Sequence, residues 1–229
     1  MRDKPVFGVI VAAGSGSRMG GVIKPLIQIE GRTLFERVLG AFEQSSVDAI
    51  TVVCPEDDSP FRELAAHCKK PVTFTRGGSM RAESVYNGIM ASEGAYAVCV
   101  HDCARPFVTA EIIDSVCGSV QATGASCACS AVTDTIRYVD FESGEIYTPD
   151  RRHLLSIMTP QAFLTEVYTD SVKKIGDISG FTDECGMLVS AGVSVEYVIC
   201  PSDNIKLTSP EDITLAIAIE RVRKENKND

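Results

Sequence analysis

The sequence predicts one α/β domain built on a doubly wound, mostly parallel sheet. A chain of 229 residues suits one such domain and is long enough to bury a core. Apolar, strand-like runs alternate with helical segments of roughly a dozen residues in the first half, which is typical of βαβ units with right-handed crossovers. Glycine-rich or charged turns follow three of these runs, as expected at the carboxyl edge of a parallel sheet. Residues 1–229 are therefore predicted to form a single domain.

The first strand and the first helix carry the clearest local signals. Residues 6–13 form a nearly continuous apolar run, which is typical of a parallel strand buried on both faces. Thr33 and Glu36 form the capping box of a helix predicted over residues 34–44. Apolar runs, caps and turns predict the other elements of this half, namely a strand at 49–54, a helix from Ser59 as N-cap with Pro60 behind it, a strand at 72–75, a helix at 82–91, a strand at 95–100, a helix from Thr109 to about 122 and a strand at 125–132.

The alternation of strands and helices stops in the second half. Residues 135–139 and 146–148, joined by a turn at 142–145, predict a β-hairpin with no helix between its strands. A lone hairpin is marginal in water, so this arm, residues 133–152, is expected to dock on a second copy of the chain and form a homodimer. The elements predicted beyond the arm are a helix from about 182, a strand at 195–199 and a final helix marked by Ser209 as N-cap, Pro210 and Asp212.

Composition and charge restrict the partners and the compartment. The net charge of −9 disfavours nucleic acids and anionic membranes, because both require a basic face. No apolar run approaches the roughly 20 residues that span a bilayer, and residues 1–4 lead into no signal-peptide segment. The nine cysteines include no Cys-x-x-Cys pair, so reduced thiols are expected instead of a zinc site. These features predict a soluble, cytoplasmic protein.

A glycine-rich segment follows the first strand and carries positive charge without any acidic residue. Gly14 and Gly16 allow close backbone approach, while Arg18 and Lys24 supply two cations. This combination predicts a cradle for a polyanion, and the expected ligand is a nucleoside triphosphate. A P-loop is excluded because Lys24 precedes Pro25 instead of a Ser or Thr at the start of a helix.

A dinucleotide-binding loop and a plain connecting turn are the alternatives for this segment. The spacing of Gly14 and Gly16 resembles the loop of a nicotinamide-dependent oxidoreductase. However, the acidic residues after the second strand, Asp57 and Asp58, lie beyond a proline, and no Tyr-x-x-x-Lys pair occurs in the chain. Hydride transfer is therefore disfavoured. A glycine turn that only joins strand to helix stays open on this segment alone.

Seven short motifs occur in order along the chain. They are Ala12-Ala13-Gly14-x-Gly16-x-Arg18-Met19, Gly77-Gly78-x-x-Arg81-x-x-Ser84-Val85, His101-Asp102-x-Ala104-Arg105-Pro106, Thr133-Asp134-Thr135, Thr159-Pro160-Gln161, Thr182-Asp183-Glu184 and Asp203-Asn204-Ile205-Lys206. In this combination the sequence resembles the 2-C-methyl-D-erythritol 4-phosphate cytidylyltransferase family of the non-mevalonate isoprenoid pathway. The resemblance covers nearly the whole chain and implies a Rossmann-like nucleotidyltransferase fold with a protruding β-hairpin arm.

The resemblance also implies a reaction. CTP and 2-C-methyl-D-erythritol 4-phosphate would give 4-diphosphocytidyl-2-C-methyl-D-erythritol and pyrophosphate, with Mg²⁺ as cofactor. The phosphate monoester of the acceptor has a second pKa of about 6 and is already ionised at neutral pH, so it needs no general base. Negative charge gathers around the α-phosphorus in the transition state, and cations aimed there would lower the barrier.

By motif position, the resemblance implies three groups of site residues. The catalytic cations would be Arg18, Lys24 and Lys206. The nucleotide-binding residues would be Ala12, Ala13, Gly14, Gly16, Gly78, Arg81, Ser84 and the Mg²⁺ ligand Asp102. The acceptor-binding residues would be Arg105, Thr135, Arg151, Thr159, Thr182 and Asp203. In this family the arm delivers such residues across a dimer interface, and spacing to Thr159 favours Arg151 over its neighbour Arg152.

The sequence departs from the family pattern at two places. The usual Pro-Lys-Gln of the cation loop is replaced by Ile23, Lys24 and Pro25, which brings the lysine one residue closer to Arg18. Position 79, often acidic in relatives, is Ser79.

Two other functions compete with the one implied. A ribitol 5-phosphate cytidylyltransferase would share the fold and most motifs, although the motifs at 182–184 and 203–206 favour methylerythritol phosphate as the acceptor. A non-catalytic nucleotide-binding regulator would not require the three catalytic cations together with Asp102, since binding alone needs no charge aimed at a transition state.

Overall fold

The computed structural model describes residues 4–14 and 23–225. Gly16 and Arg18, both predicted site residues, lie outside the described residues. In the described part the strands are β1 Val6–Val11, β2 Gln28–Ile29, β3 Arg32–Thr33, β4 Ala49–Cys54, β5 Val72–Arg76, β6 Ala97–Asp102, β7 Ala125–Ala131, β8 Tyr138–Val139, β9 Ile146–Tyr147, β10 Leu155–Leu164 and β11 Glu196–Ile199. The helices are α1 Leu34–Gln44, α2 Ser59–Ala65, α3 Arg81–Ala91, α4 Ala110–Thr123, α5 Thr165–Ile175, α6 Glu184–Ser190 and α7 Glu211–Glu225.

Seven strands form the main sheet in the order β11-β7-β10-β6-β1-β4-β5. Strands β1, β4, β5 and β6 run parallel, as do β7 and β11, while β10 is antiparallel to both of its neighbours. The chain winds outward from β1 to β5 and then returns to β6 on the other side of β1. The winding direction therefore reverses between β1 and β6, where ligands bind in sheets of this kind. The predicted doubly wound, mostly parallel sheet is confirmed.

Helices cover both faces of the sheet because its strands are apolar on both sides. Successive residues of β1 point to opposite faces, so Val9 packs with one cluster of buried side chains and Ile10 with another. The cluster around Ile10 takes side chains from α1, α2 and α4, and the cluster around Val9 takes them from α3, α5 and α6. A third, smaller cluster holds α7 beside the β2–β3 hairpin through Phe107, Leu207 and Ala216.

Helix α1 begins at the predicted capping box. The amide of Glu36 donates to the Thr33 hydroxyl at 3.1 Å, and the amide of Thr33 donates to the Glu36 carboxylate at 2.7 Å. These two hydrogen bonds satisfy two backbone donors that a helix start leaves unpaired. The hydrogen bonds from the Thr33 side chain and backbone also lower the pKa of Glu36. The predicted bounds of this helix match the observed ones.

The other end of α1 is held by a lysine from a later loop. The ammonium of Lys70 donates to the carbonyl of Phe42 at 3.0 Å, to that of Val47 at 2.7 Å and also to that of Ser45. A cation at a helix carboxyl end satisfies unpaired carbonyls and interacts favourably with the helix dipole.

We expect Lys70→Met to lower the free energy of unfolding by about 1–3 kcal/mol, because it removes hydrogen bonds from three carbonyls. Urea denaturation followed by circular dichroism would measure the loss. Lys69→Met is the matched control, since Lys69 is exposed and its side chain is changed in the same way. Equal losses in the two variants would contradict the role given to Lys70.

Several predicted boundaries are wrong. Helix α2 starts at Ser59, so its N-cap is Asp58, whose side chain makes no capping hydrogen bond. Strand β1 ends at Val11, two residues earlier than expected, and β6 extends through His101 and Asp102. Strand β10 and helix α5 were not predicted at all. Helix α7 starts at Glu211, later than expected. The carboxylate of Asp212, in its first turn, accepts the amide of Ser209 at 2.8 Å.

The arm, residues 133–152, leaves the sheet between β7 and β10. Its strands β8 and β9 pair antiparallel, and the rings of Tyr138 and Tyr147 lie 4.9 Å apart. Arg151 closes the base of the arm by donating to the carbonyl of Thr133 at 2.7 Å. Large apolar side chains are exposed here, including Phe141 at 93% and Ile146 at 61%. The arm therefore presents an apolar surface to its surroundings.

Within residues 4–14 and 23–225, none of the helices has both the length and the apolar character needed to cross a membrane.

Candidate active site

A cleft of about 380 Å³ lies at the carboxyl ends of β1 and β6, where the winding of the sheet reverses. Five of the predicted site residues line it, namely Gly14, Lys24, Arg81, Asp102 and Lys206. The sequence placed Gly14 and Asp102 there through the strands that precede them. The other three come from a short turn before β2, from the start of α3 and from the segment before α7.

Asp102 is the centre of the cleft's charges. One of its oxygens accepts from Nε of Arg81 at 2.9 Å, and the other accepts from the ammonium of Lys206 at 2.6 Å. Burial opposes ionisation of this carboxyl group, but the charges of Arg81 and Lys206 outweigh that effect and lower the pKa of Asp102 well below its usual range. The side chain of Asp102 is 10% exposed and that of Lys206 is 39% exposed. An ionised carboxylate thus lies in the wall of the cleft, with a lysine reaching out from it.

A second carboxylate stands behind Arg81. Both oxygens of Glu184 accept from the guanidinium, from Nη1 at 2.8 Å and from Nη2 at 3.1 Å. Burial is the main influence on Glu184 and raises its pKa, although Arg81 works against that rise. Carboxylates and cations therefore alternate in a chain of contacts that runs Glu184, Arg81, Asp102, Lys206.

Lys24 lines the same cleft beside the segment that carries Lys206. Its ammonium lies 3.5 Å from the carbonyl oxygen of Leu207 and 3.4 Å from that of Thr208. The segment that carries those carbonyls is fixed in turn, because the amide of Leu207 donates to the carbonyl of Ala104 at 2.8 Å. The predicted cations Lys24 and Lys206 are thus brought to one cleft by a shared backbone segment.

His101 is fully buried, and within residues 4–14 and 23–225 both of its ring nitrogens make internal hydrogen bonds. Its Nε2 lies 3.0 Å from the carbonyl of Arg105, which can only accept, so Nε2 carries the proton. Its Nδ1 lies 3.0 Å from the Thr159 hydroxyl, which in turn accepts from the amide of Asp102 at 3.1 Å. Burial lowers the pKa of His101 to about 4, so the ring is neutral at pH 7. This histidine therefore holds the carbonyl of Arg105 and the hydroxyl of Thr159 in position.

The turn between β5 and α3 lies against Ala13, which follows β1. A Cβ atom at Gly77 would collide with the side chain of Ala13, so only glycine allows this close approach. The amide of Gly78 donates to the Ser84 hydroxyl at 2.9 Å, and that hydroxyl donates to the carbonyl of Met80 at 3.0 Å. Ser84 is 5% exposed and holds the turn in place. Its role in nucleotide binding stays a prediction, as does that of Gly78, which is the more accessible of the two.

The predicted nucleotide-binding alanines lie beside this turn. Ala12 is buried in the core, and its amide donates to the carbonyl of Val53 at 2.8 Å. Ala13 is partly exposed below Gly77. The main chain of these residues leads directly into Gly14, which lines the cleft.

The predicted acceptor-binding residues do not form one group. Thr159 is 3% exposed, and its hydroxyl is used by Asp102 and His101. Asp203 pairs at 2.7 Å with Arg223, a residue of α7, and lines a different cavity beside α4. These two side chains are not placed in the cleft.

The other acceptor candidates lie at the rim or on the arm. Arg105 is half-buried and donates to the carbonyl of Asn204 at 2.8 Å, which fixes the segment that carries Lys206. Thr182 is exposed, and its carbonyl accepts from Arg81 at 3.4 Å. Thr135 and Arg151 are exposed on the arm and are not among the described residues that line the cleft.

A divalent cation fits this cleft only together with substrate phosphates. Within the described ranges, no group of three or more His, Cys, Asp and Glu side chains is arranged to hold a metal. Magnesium, however, is commonly bound by one or two carboxylates with phosphate oxygens and water completing its shell. The ionised carboxylate of Asp102 satisfies that requirement, so the residues present fit a metal carried in with a nucleotide.

Three buried polar residues around the cleft were not identified from the sequence as functional. Glu184 was seen only as part of a motif, and its contact with Arg81 spans 103 positions of sequence. Gln161 is fully buried, accepts the amide of Cys185 at 2.9 Å and donates to Asp183 at 2.9 Å. Asn204 is fully buried and donates to the carbonyl of Thr159 at 2.9 Å. All three stand in the short motifs described above, and that position was the available signal.

The sequence is similar to those of known proteins over nearly its whole length. It matches the family model IspD, 2-C-methyl-D-erythritol 4-phosphate cytidylyltransferase, over residues 6–222. It is 33% identical to the 2-C-methyl-D-erythritol 4-phosphate cytidylyltransferase of Pelotomaculum thermopropionicum, over 96% of this chain and 95% of that protein. It is 36% identical to the bifunctional enzyme IspD/IspF of Anaeromyxobacter dehalogenans, and there it covers 96% of this chain but 58% of the longer relative.

The fold is similar to those of solved structures. The 4-diphosphocytidyl-2C-methyl-D-erythritol synthase from Anaerococcus prevotii superposes with a TM-score of 0.86 at 26% identity, covering 96% of this chain and 97% of that one. The 2-C-methyl-D-erythritol 4-phosphate cytidylyltransferase from Thermus thermophilus gives a TM-score of 0.75 at 28% identity, covering 93% and 98% of the two chains.

Proposed function

This chain belongs to the 2-C-methyl-D-erythritol 4-phosphate cytidylyltransferase family, and we propose that it joins CTP and 2-C-methyl-D-erythritol 4-phosphate to give 4-diphosphocytidyl-2-C-methyl-D-erythritol and pyrophosphate. The observation that carries this proposal is the cleft at the reversal of the sheet, where Lys24 and Lys206 flank the ionised carboxylate of Asp102. Cations around a metal-binding carboxylate are what a nucleotidyl transfer requires.

The proposed chemistry is one in-line displacement. An oxygen of the acceptor phosphate forms a bond to the α-phosphorus of CTP, while the bond from that phosphorus to the bridging oxygen of the β-phosphate breaks and pyrophosphate leaves. The attacking phosphate is ionised at neutral pH, so no residue has to remove a proton. His101, whose ring is neutral and internally bonded, agrees with this requirement.

The residues of the cleft would control charge during that displacement. Lys24 and Lys206 both line the cleft and would face the negative charge that grows around the α-phosphorus. Asp102 would hold Mg²⁺, which when bound neutralises phosphate charge and polarises the reacting group. The small residues of the turn at Gly77 and Gly78 would let the cytosine edge meet main-chain groups. Arg18 is proposed as a third cation from its place in the sequence.

We propose that the arm joins two copies of the chain and that Arg151 reaches the acceptor site of the other copy. Exposed apolar side chains on an isolated two-stranded hairpin support this, since such a surface calls for a covering partner. Arg151 lies at the base of the arm, and a guanidinium is suited to bidentate binding of a phosphate. We also propose a cytoplasmic location, which the nine free cysteines support.

The substrate pair can be tested directly. We expect pyrophosphate release to be fastest with CTP and 2-C-methyl-D-erythritol 4-phosphate when each common nucleoside triphosphate is offered with Mg²⁺ and either that acceptor or ribitol 5-phosphate. Chelation by EDTA is expected to abolish release, and added Mg²⁺ to restore it. Equal or faster release with ribitol 5-phosphate would reassign the acceptor, and release without any acceptor would refute the transfer reaction.

A further inference from the structure

Glu184 lies outside the cleft but binds one of the charged residues that line it, Arg81, through both carboxylate oxygens. It is the first residue of α6, its side chain is 5% exposed, and it is not among the residues that line the cleft. Both of its oxygens are used by Arg81, at 2.8 and 3.1 Å. A buried carboxylate costs free energy even when it is paired, and an apolar pair of similar size often serves stability as well or better. Stability alone is therefore not a sufficient reason for a carboxylate at this position.

The start of α6 is fixed to the sheet, so Glu184 is a rigid support. Asp183 caps the helix by accepting the amide of Gly186 at 3.0 Å, and it also accepts from Gln161 at 2.9 Å. Gln161 belongs to β10 and accepts the amide of Cys185 at 2.9 Å. The residues on both sides of Glu184 are thus hydrogen-bonded to one buried side chain. A carboxylate held in this way fixes the plane of the guanidinium that it binds.

The consequence for Asp102 follows from the charges. Arg81 is shared between the two carboxylates: Nη1 binds Glu184, Nε binds Asp102, and Nη2 lies 3.1 Å from an oxygen of Glu184 and 2.9 Å from one of Asp102. Arg81 and Lys206 are both cations on Asp102, and the negative charge of Glu184 offsets the repulsion that Arg81 exerts on Lys206 at its 2.6 Å contact with Asp102. Without the charge of Glu184, that repulsion would be unopposed, and the hold of Asp102 on Lys206 would weaken.

We propose that Glu184 is a positioning residue for the cytidylyl transfer, acting through Arg81 to set how tightly Asp102 holds Lys206. This inference rests on the proposed function for its effect on the reaction rate. The hold on Lys206 is a property of the protein without substrate and can be measured separately.

The first measurement is the rate at which an amine-reactive reagent labels Lys206 in the free protein, followed by mass spectrometry with exposed Lys173 as the internal reference. We expect Glu184→Gln to speed labelling of Lys206 by about threefold or more, because Asp102 releases it. We expect Arg81→Gln to slow labelling, because Lys206 is then the remaining partner of Asp102 in the chain of contacts. The double variant should behave like Arg81→Gln alone.

The opposite signs separate this proposal from simple loosening of the fold. If both single variants sped labelling, or if neither changed it, the role given to Glu184 would be overturned. Glu166→Gln is the control, since it removes the same charge from an exposed position on α5 and should leave labelling of Lys206 unchanged.

The second measurement is steady-state kinetics. With Glu184→Gln we expect kcat to fall by about tenfold or more and KM for CTP to change by less than about threefold, with no further loss of kcat when the substitution is added to Arg81→Gln. Multiplied effects in the double variant would refute action through Arg81. A wild-type protein that is inactive with CTP and the acceptor would refute the proposed function, and the labelling result would still decide the role of Glu184.

Discussion

Lys206→Ala is expected to lower kcat by about 100- to 1000-fold while KM for CTP changes by less than about threefold. Lys206 is held at 2.6 Å from Asp102 in the wall of the cleft, and it is exposed enough to meet a phosphate. The lost interaction strengthens as negative charge gathers around the α-phosphorus. Its loss therefore slows the reaction of bound CTP and leaves the affinity for CTP nearly unchanged. Lys24→Ala is expected to behave in the same way.

Steady-state kinetics with varied CTP would measure both parameters. Lys173→Ala provides the control, because it removes the same charge from an exposed helical position where the ammonium pairs with Asp170. The control is expected to retain wild-type kcat and KM. If Lys206→Ala instead kept kcat and raised KM for CTP, the lysine would bind the ground state of the nucleotide, and its catalytic assignment would be wrong.

Activity is expected to reappear when two nearly inactive variants, Lys24→Ala and Arg151→Ala, are mixed and allowed to exchange subunits. In the proposed dimer each site uses Lys24 of one chain and Arg151 of the other. A dimer with one chain of each kind would therefore have one site with both lesions and one site with neither. Random exchange of equal amounts makes half of the dimers mixed, so recovery of about a quarter of wild-type activity is expected.

Subunit exchange must be confirmed by mass spectrometry of chains with different tags. Mixing Lys24→Ala with Lys206→Ala is the matched control. Both residues line the cleft of one chain, so every site in a mixed dimer keeps one lesion and no recovery is expected. If the first mixture also failed to recover while exchange was complete, Arg151 would act within its own chain or not at all, and the shared site would be refuted.

The first half of the fold was predictable because its local signals agree with its tertiary structure. The capping box of Thr33 and Glu36 fixed the start of α1, and β4 was predicted with its observed bounds from its apolar run. The error at Ser59 arose because Ser-Pro resembles an N-cap followed by N1. In the structure the first helical residue is Ser59, one residue earlier than expected, and the N-cap position is occupied by Asp58.

Strand β10 escaped prediction because its sequence contradicts its position. A central, buried strand is not expected to contain a proline, which cannot donate a ladder hydrogen bond. Pro160 is accommodated because the register of β10 against β7 shifts between Ile157 and Gln161. Helix α5 follows directly and lacks a side-chain cap at Leu164, so no start signal marks it.

For the candidate site, the sequence predicted the edge of the sheet better than the contacts made there. Asp102 ends β6 and Gly14 comes shortly after β1, and parallel strands bring their carboxyl ends together. The pairing of Arg81 with Glu184 depends on how α3 and α6 pack on one face, and no local pattern encodes that packing. Asp203 was misplaced for a related reason, since the partner that draws it away, Arg223, lies on the last helix.

The position where the arm is inserted makes it a separable module of the molecule. Strands β7 and β10 are consecutive in the main sheet and pair antiparallel, with Leu155 opposite Ala131. The excursion between them therefore starts and ends at two hydrogen-bonded neighbours, about 5 Å apart at their Cα atoms. An insertion whose ends already meet can be lengthened, shortened or exchanged without moving the strands beneath the cleft. The exposed arm can thus change in length and sequence independently of the sheet that positions the charged residues of the cleft.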